Sequence, residues 1–265
     1  MTSTRCIKKW GTDVDTVYTF PFDILQYIRP CRKANGHPKY HDREYADVIV
    51  TFDIETTNFP ELQKAALWHW QVCLDGMVIV GRTWEEYKTF LHMVDIWLPK
   101  GLTLVQYVHN LGYEFQFLRA IHDFTEEEVF CLTGRKVAKC EIGKRFEYRC
   151  SYVLTNMSLR ELLNKMQVEH KKTELDYNKI RYPWTDITDE ELEYCIADVL
   201  GLYEALKKMF KIDKNTLADV PLTSTGYVRK DFKSAMRKGG YLSLVHECSP
   251  SYEVYLMLRR AFRGG

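Results

Sequence analysis

The chain has 265 residues, 46% of them hydrophobic and 28% charged, with a formal net charge of +1. That length and balance suit a globular protein of one large domain, or one domain with flanking pieces. No apolar run reaches the length of a membrane span, and residues 1–10 lack the apolar core of a signal peptide, so a cytoplasmic location is expected.

Residues 1–45 read as an irregular N-terminal extension punctuated by Pro21, Pro30, Gly36 and Pro38. Residues 47–55 (DVIVTFDIE) have the β-branched, apolar character of a buried strand. Residues 67–82 predict a hairpin turning at Asp75-Gly76. Thr83 with Glu86 three positions on is a capping box that opens a helix to about Leu98. Residues 102–110 predict a strand, followed by a helix over 113–122. A second hairpin over 136–150 turns at Gly143-Lys144, and 158–166 reads as a short helix. Thr188 and Glu191 form another capping box, starting a helix that runs to about Phe210. This order predicts an α/β fold, a mixed sheet covered by helices.

The eight cysteines (Cys6, Cys31, Cys73, Cys131, Cys140, Cys150, Cys195 and Cys248) include no CxxC pair, which favours reduced thiols over a zinc site or disulfide framework. No GxSxG, GxGxxG or phosphate-loop signature is present, which argues against a serine or cysteine hydrolase. Residues 221–265 carry eight Lys/Arg against three Asp/Glu, compatible with DNA but equally with a solvated face.

Three acidic clusters carry the chemistry. Asp53 and Glu55 end the first strong strand, and strand alternation points them to one face. Asn110 and Glu114 follow a later strand; the plain alternative is a loop and helix start, where an acid favours the helix dipole. Tyr194 and Asp198, four apart on the last helix, share one face in the apolar run Cys195-Ile196-Ala197-Asp198-Val199-Leu200. A carboxylate buried there needs a partner, and a metal is one. Four carboxylates and a tyrosine suit a two-metal phosphodiesterase, with ions about 4 Å apart. Magnesium or manganese fits oxygen ligands without a Cys/His cluster.

DIETT (residues 53–57), HNLGYEF (109–115) and YCIAD (194–198) resemble the three motifs of the tyrosine branch of the DEDD exonucleases, whose fold is ribonuclease-H-like. YVHNL, Ser158-Leu159, KTEL (172–175) with Asp176-Tyr177, and FRGG (262–265) further resemble the exonuclease domain of the protein-primed family B DNA polymerases of phages and linear plasmids. The resemblance implies a 3′→5′ proofreading exonuclease, in the host cytoplasm if of phage origin. Asp53, Glu55, Glu114 and Asp198 would hold two Mg2+ (or Mn2+), Tyr194 would orient water, and Lys172 would steady the scissile phosphate. It also implies that Thr56, Tyr107, His109, Asn110, Tyr113, Phe117, Ser158, Leu159 and Tyr177 position a single-stranded DNA 3′ end, with Ser158-Leu159 also meeting a terminal protein. For Tyr107, Tyr113 and Phe117 a core role is the alternative.

The corresponding domain reading is an extension over 1–45, the exonuclease over 46–212, and a linker with the start of a polymerase domain over 213–265. Two departures stand out. Glu114 replaces the usual aspartate, adding roughly 1.5 Å of reach, and the polymerase motifs are absent from this sequence. Two rivals follow: a stand-alone RNA exonuclease of the same class, and a weakened module that only binds single-stranded DNA or a terminal protein.

Overall fold

A computed structural model describes residues 14–32, 43–134, 136–170 and 175–261. Among these, nine strands form one mixed sheet. In chain order they are β1 (Val14–Thr16), β2 (Glu44–Tyr45), β3 (Val50–Phe59), β4 (Lys64–Leu74), β5 (Met77–Gly81), β6 (Leu102–Val108), β7 (Val129–Thr133), β8 (Lys136–Ile142) and β9 (Phe146–Cys150). Across the sheet the order is β1-β5-β4-β3-β6-β9-β8-β7, with β2 also on β6. The β3–β6 and β6–β9 pairs are parallel, while β3–β4, β4–β5 and β8–β9 are antiparallel hairpin pairs. Asp75 and Gly76 turn the β4–β5 hairpin with φ of 48° and 95°. Two successive left-handed residues are what a tight two-residue hairpin requires, and Asp-Gly supplies them at little strain.

Helices cover both faces. Helix α1 (Trp84–Trp97) begins at the Thr83–Glu86 capping box and buries Tyr87, Phe90, Leu91 and Val94. These pack on the even-numbered residues of β3: Phe52 stacks on Tyr87 with ring centroids 4.7 Å apart. Helix α2 (Leu111–Leu118) follows β6 through Asn110 at φ 70°, two residues earlier than the sequence predicts and ending sooner. Helices α3 (Ser151–Thr155) and α4 (Leu159–Met166) lead to α5 (Asp189–Ile212), whose Ile196, Val199, Leu200 and Tyr203 pack on Cys73 and Val78 of the opposite face. The Thr51 hydroxyl on β3 donates to the Val199 carbonyl of α5 at 2.8 Å. Gly201 lets α5 close on the turn after α4, because a Cβ there would lie 2.8 Å from the His170 carbonyl oxygen.

β1, β2 and β7 were not expected from the sequence. β1 and β2 bring part of the N-terminal stretch, read as irregular, into the sheet. The chain divides into two compact units, Met1–Thr223 and Ser224–Gly265. It contains α6 (Ser224–Lys238), α7 (Leu242–Glu247) and α8 (Tyr252–Ala261). Among the described residues the cysteines are free, and no helix is long and apolar enough to cross a membrane.

Candidate active site

The acids converge where β3 passes beneath α5. One carboxylate oxygen from each of Asp53, Glu55 and Asp198 lies within 4.8 Å of the others, and Glu55 and Asp198 are buried. The odd-numbered face of β3 presents Asp53 and Glu55 to α5, and the Tyr194–Asp198 spacing turns both of those side chains back to the sheet. Three carboxylates packed this closely repel one another, and a cation is the economical remedy.

Glu114 closes the group from α2. It is 4% exposed, and its Oε2 is buried without a hydrogen-bond partner. Burial, and then the charges of Asp53 and Glu55, push its carboxyl well above the ordinary range. It sits in the first turn of α2, where the helix dipole favours an acid. An orphaned carboxylate oxygen beside three converging ones fits a divalent cation, although Glu114 stays outside the 4.8 Å group.

Tyr194 is buried, and its hydroxyl hydrogen-bonds to that of Tyr177 at 2.7 Å. Burial, with Glu55 and Asp198 nearby, raises the phenol, so Tyr194 stays protonated. Tyr177 belongs to the stretch before α5, which Arg181 fastens. The Arg181 guanidinium pairs with Glu191 at 2.8 and 2.9 Å and donates to the Asp176 and Lys179 carbonyls. Its backbone exchanges two hydrogen bonds with the Thr57 hydroxyl on β3, at 2.7 and 2.9 Å.

Tyr113 is partly exposed, hydrogen-bonds to Thr56 and packs on Phe117 at 5.2 Å. Burial, and the nearby charges of Glu114, Glu55 and Asp53, raise the Tyr113 phenol, which places that ring beside the acids. His109 is half-buried, with Nδ1 3.0 Å from the Ser151 hydroxyl, and Asn110 is exposed. Tyr107, for which a core role was the alternative, is 1% exposed and packs on Phe210. Leu159 is likewise buried on α4. Ser158 caps α4, its hydroxyl accepting from the Glu161 backbone N–H at 3.3 Å. Lys172 and the FRGG stretch lie outside the described residues.

Two residues that sequence reasoning missed lie opposite the acids on β4. Register places Gln71 against Asp53 and His69 against Glu55. The Gln71 amide donates to Asp53 Oδ2 at 2.7 Å, which leaves its Oε1 to accept from His69 Nδ1 at 2.8 Å. Burial holds His69 neutral, pushed down to about 4. Gln71 thus fixes the Asp53 carboxylate from behind.

The mixed sheet with helices on both faces is a ribonuclease-H-like fold, the fold of exonuclease domains. Among solved structures it is similar to Phi29 DNA polymerase complexed with single-stranded DNA, with a TM-score of 0.64 and 18% identity over 83% of this chain. The same polymerase complexed with primer-template DNA matches with a TM-score of 0.63 and 18% identity over 82% of the chain. The alignment falls on that polymerase's exonuclease region, and the chain spans about 40% of the polymerase's length. No family model matches the sequence, and no curated protein does.

Proposed function

We propose that the chain is a divalent-metal-dependent 3′→5′ exonuclease acting on single-stranded DNA ends, the proofreading part of a protein-primed DNA polymerase. One observation carries the reading: the Asp53, Glu55 and Asp198 oxygens converge within 4.8 Å, beside a buried Glu114 oxygen that has no partner. Asp53, Glu55, Glu114 and Asp198 would hold magnesium or manganese, which supplies charge neutralisation and Lewis acidity at a phosphodiester. The protein's own groups do the rest. Gln71 keeps one Asp53 oxygen committed, so the carboxylate presents the other to the site. Tyr194, neutral and braced by Tyr177, is a hydroxyl able to orient a water against the phosphate. Tyr113 and Phe117 offer rings for an unpaired base, with Thr56 fixing the Tyr113 hydroxyl.

DNA is the polymer bound by the polymerase whose fold the chain shares, which favours it over RNA. The roles drawn from motif resemblance for Lys172, His109, Asn110, Ser158 and a terminal protein belong to the same proposal. The test uses 5′-labelled single-stranded DNA and RNA with Mg2+, Mn2+ or EDTA. The expected result is a ladder shortening from the 3′ end of the DNA that vanishes under chelation. Degradation persisting in EDTA, or loss from the 5′ end, rejects the mechanism.

A further inference from the structure

The odd-numbered residues of β3 form one stripe on the α5 face. Thr51 meets Val199, Asp53 and Glu55 belong to the acid group, and Thr57 bonds to the Arg181 backbone. The last of them, Phe59, lies against Tyr182 with ring centroids 5.9 Å apart at 30°. Tyr182 in turn stacks on Trp184, with centroids 5.0 Å apart and planes at 1°. The stack ends in solvent, since Trp184 is 79% exposed.

The neighbouring backbone is fixed. Arg82 donates to the Tyr182 and Thr185 carbonyls at 2.9 and 2.8 Å while its Nε holds the Trp68 carbonyl at 2.7 Å. The Tyr182 N–H is taken by the Thr185 hydroxyl at 2.9 Å, and Arg181 ties the same segment to β3. A parallel ring stack with an open outer face, pre-set on a braced loop, offers what an unpaired base needs at little ordering cost. Lys64, opposite Phe59 in the strand register and exposed, adds a cation for a phosphate.

The spacing suits a strand already anchored in the acid group. Glu55 to Phe59 is four strand residues, about 13 Å at about 3.3 Å each. Stacked nucleotides advance about 3.4 Å each, so Phe59, the inner ring of the stack, lies about four of them from Glu55.

We propose that Phe59, Tyr182 and Trp184 form a stacking platform for a base of single-stranded DNA several nucleotides 5′ of the end held at the acids. The inference rests on the exonuclease reading and gives that site a reach along the strand. It makes affinity length-dependent: a dinucleotide stops short of the stack, whereas an octanucleotide passes over it.

The test measures displacement of 5′-labelled (dT)8 by unlabelled (dT)2, (dT)4 and (dT)8 in EDTA, so that no cleavage intervenes. Wild type should gain affinity steeply between (dT)2 and (dT)8. Trp184→Ala should lose about five- to a hundredfold of its (dT)8 affinity, the scale of one base–ring stack, lowering the (dT)8 to (dT)2 ratio. Trp184→Phe should keep most of that ratio. Circular dichroism checks folding, which an exposed ring should not disturb, and Tyr182→Ala provides a second variant. If wild type binds and trims DNA while Trp184→Ala binds (dT)8 equally well, the platform is overturned. If wild type neither binds nor trims any oligonucleotide, the exonuclease reading itself fails.

Discussion

At the scale of single residues, Glu114 decides what kind of site this is. Its carboxyl is buried, carries an oxygen without a partner and faces the charges of Asp53 and Glu55. In the metal-free protein that arrangement is unfavourable, and a bound cation reverses its sign. Glu114→Gln keeps the shape and removes the cost of burying a group that ionises freely in the unfolded chain, so it should raise the metal-free Tm at neutral pH by about 2–4 °C, the equivalent of about 1 kcal/mol. On the proposed exonuclease reading it should also abolish cleavage and most of the stabilisation expected from Mn2+ in wild type. Glu114→Asp should retain partial activity, since the carboxylate remains but is set back. Thermal scans with EDTA and with Mn2+ check this. A Glu114→Gln variant that gains as much from Mn2+ as wild type shows that Glu114 is no ligand. Spacing put Asp53 and Glu55 on one strand face and Asp198 on one helix face, and those three converge; that they belong to one site came from the motif resemblance and not from spacing. Gln71 and His69 were not legible in the sequence, because their role depends on the β3–β4 register, which brings distant residues opposite one another.

At the scale of elements, the same division holds. The capping boxes at Thr83 and Thr188 and the Asp75-Gly76 turn were readable because each is a local bargain between a side chain and nearby backbone. β1 and β2, three and two residues long, and the largely exposed β7 carry too little periodicity to read; they exist because a neighbouring strand offers them an edge. The stretch before α5 has no regular structure, and its order comes from Arg181 and Glu191, both buried. Burial alone would raise the Glu191 carboxyl, but hydrogen bonds from Lys179, the Thr188 backbone and Arg181 override it and hold it down at about 2. A depressed carboxylate stabilises the fold fully above its unfolded value near 4.5, and the contribution drains away as pH falls from there through about 2. Glu191→Gln leaves the Arg181 charge buried and should cost about 3 kcal/mol at pH 7. Urea titrations of both proteins should show that difference shrinking below about pH 4.5. A gap that stays constant down to pH 2.5 would mean the pair contributes nothing through charge.

At the scale of the whole molecule, the two units differ in how they are held. Met1–Thr223 contains the sheet, the buried core and every described residue of the candidate site. Ser224–Gly265 has no buried residue on α6 or α8, and Val228, Phe232, Tyr252, Tyr255, Met257 and Leu258 are exposed along them. Helices of 15 and 10 residues are marginal in water by themselves, because nucleation is costly and burial normally supplies most helical stability. The stability of the first unit should therefore be its own. A protein ending at Thr223 is expected to unfold in one cooperative transition within about 4 °C of the full chain, the shift that about 1 kcal/mol produces at this size. It should also keep metal-dependent trimming of single-stranded DNA, because the acids, Tyr194 and the aromatic stack all lie before the cut. A synthetic 224–265 peptide should show little helix by circular dichroism in water. Calorimetry on the two proteins together with the peptide spectrum checks the division. If the shortened protein melts far below the full chain, or the peptide is strongly helical by itself, the core of the first unit is not the sole source of order in the molecule.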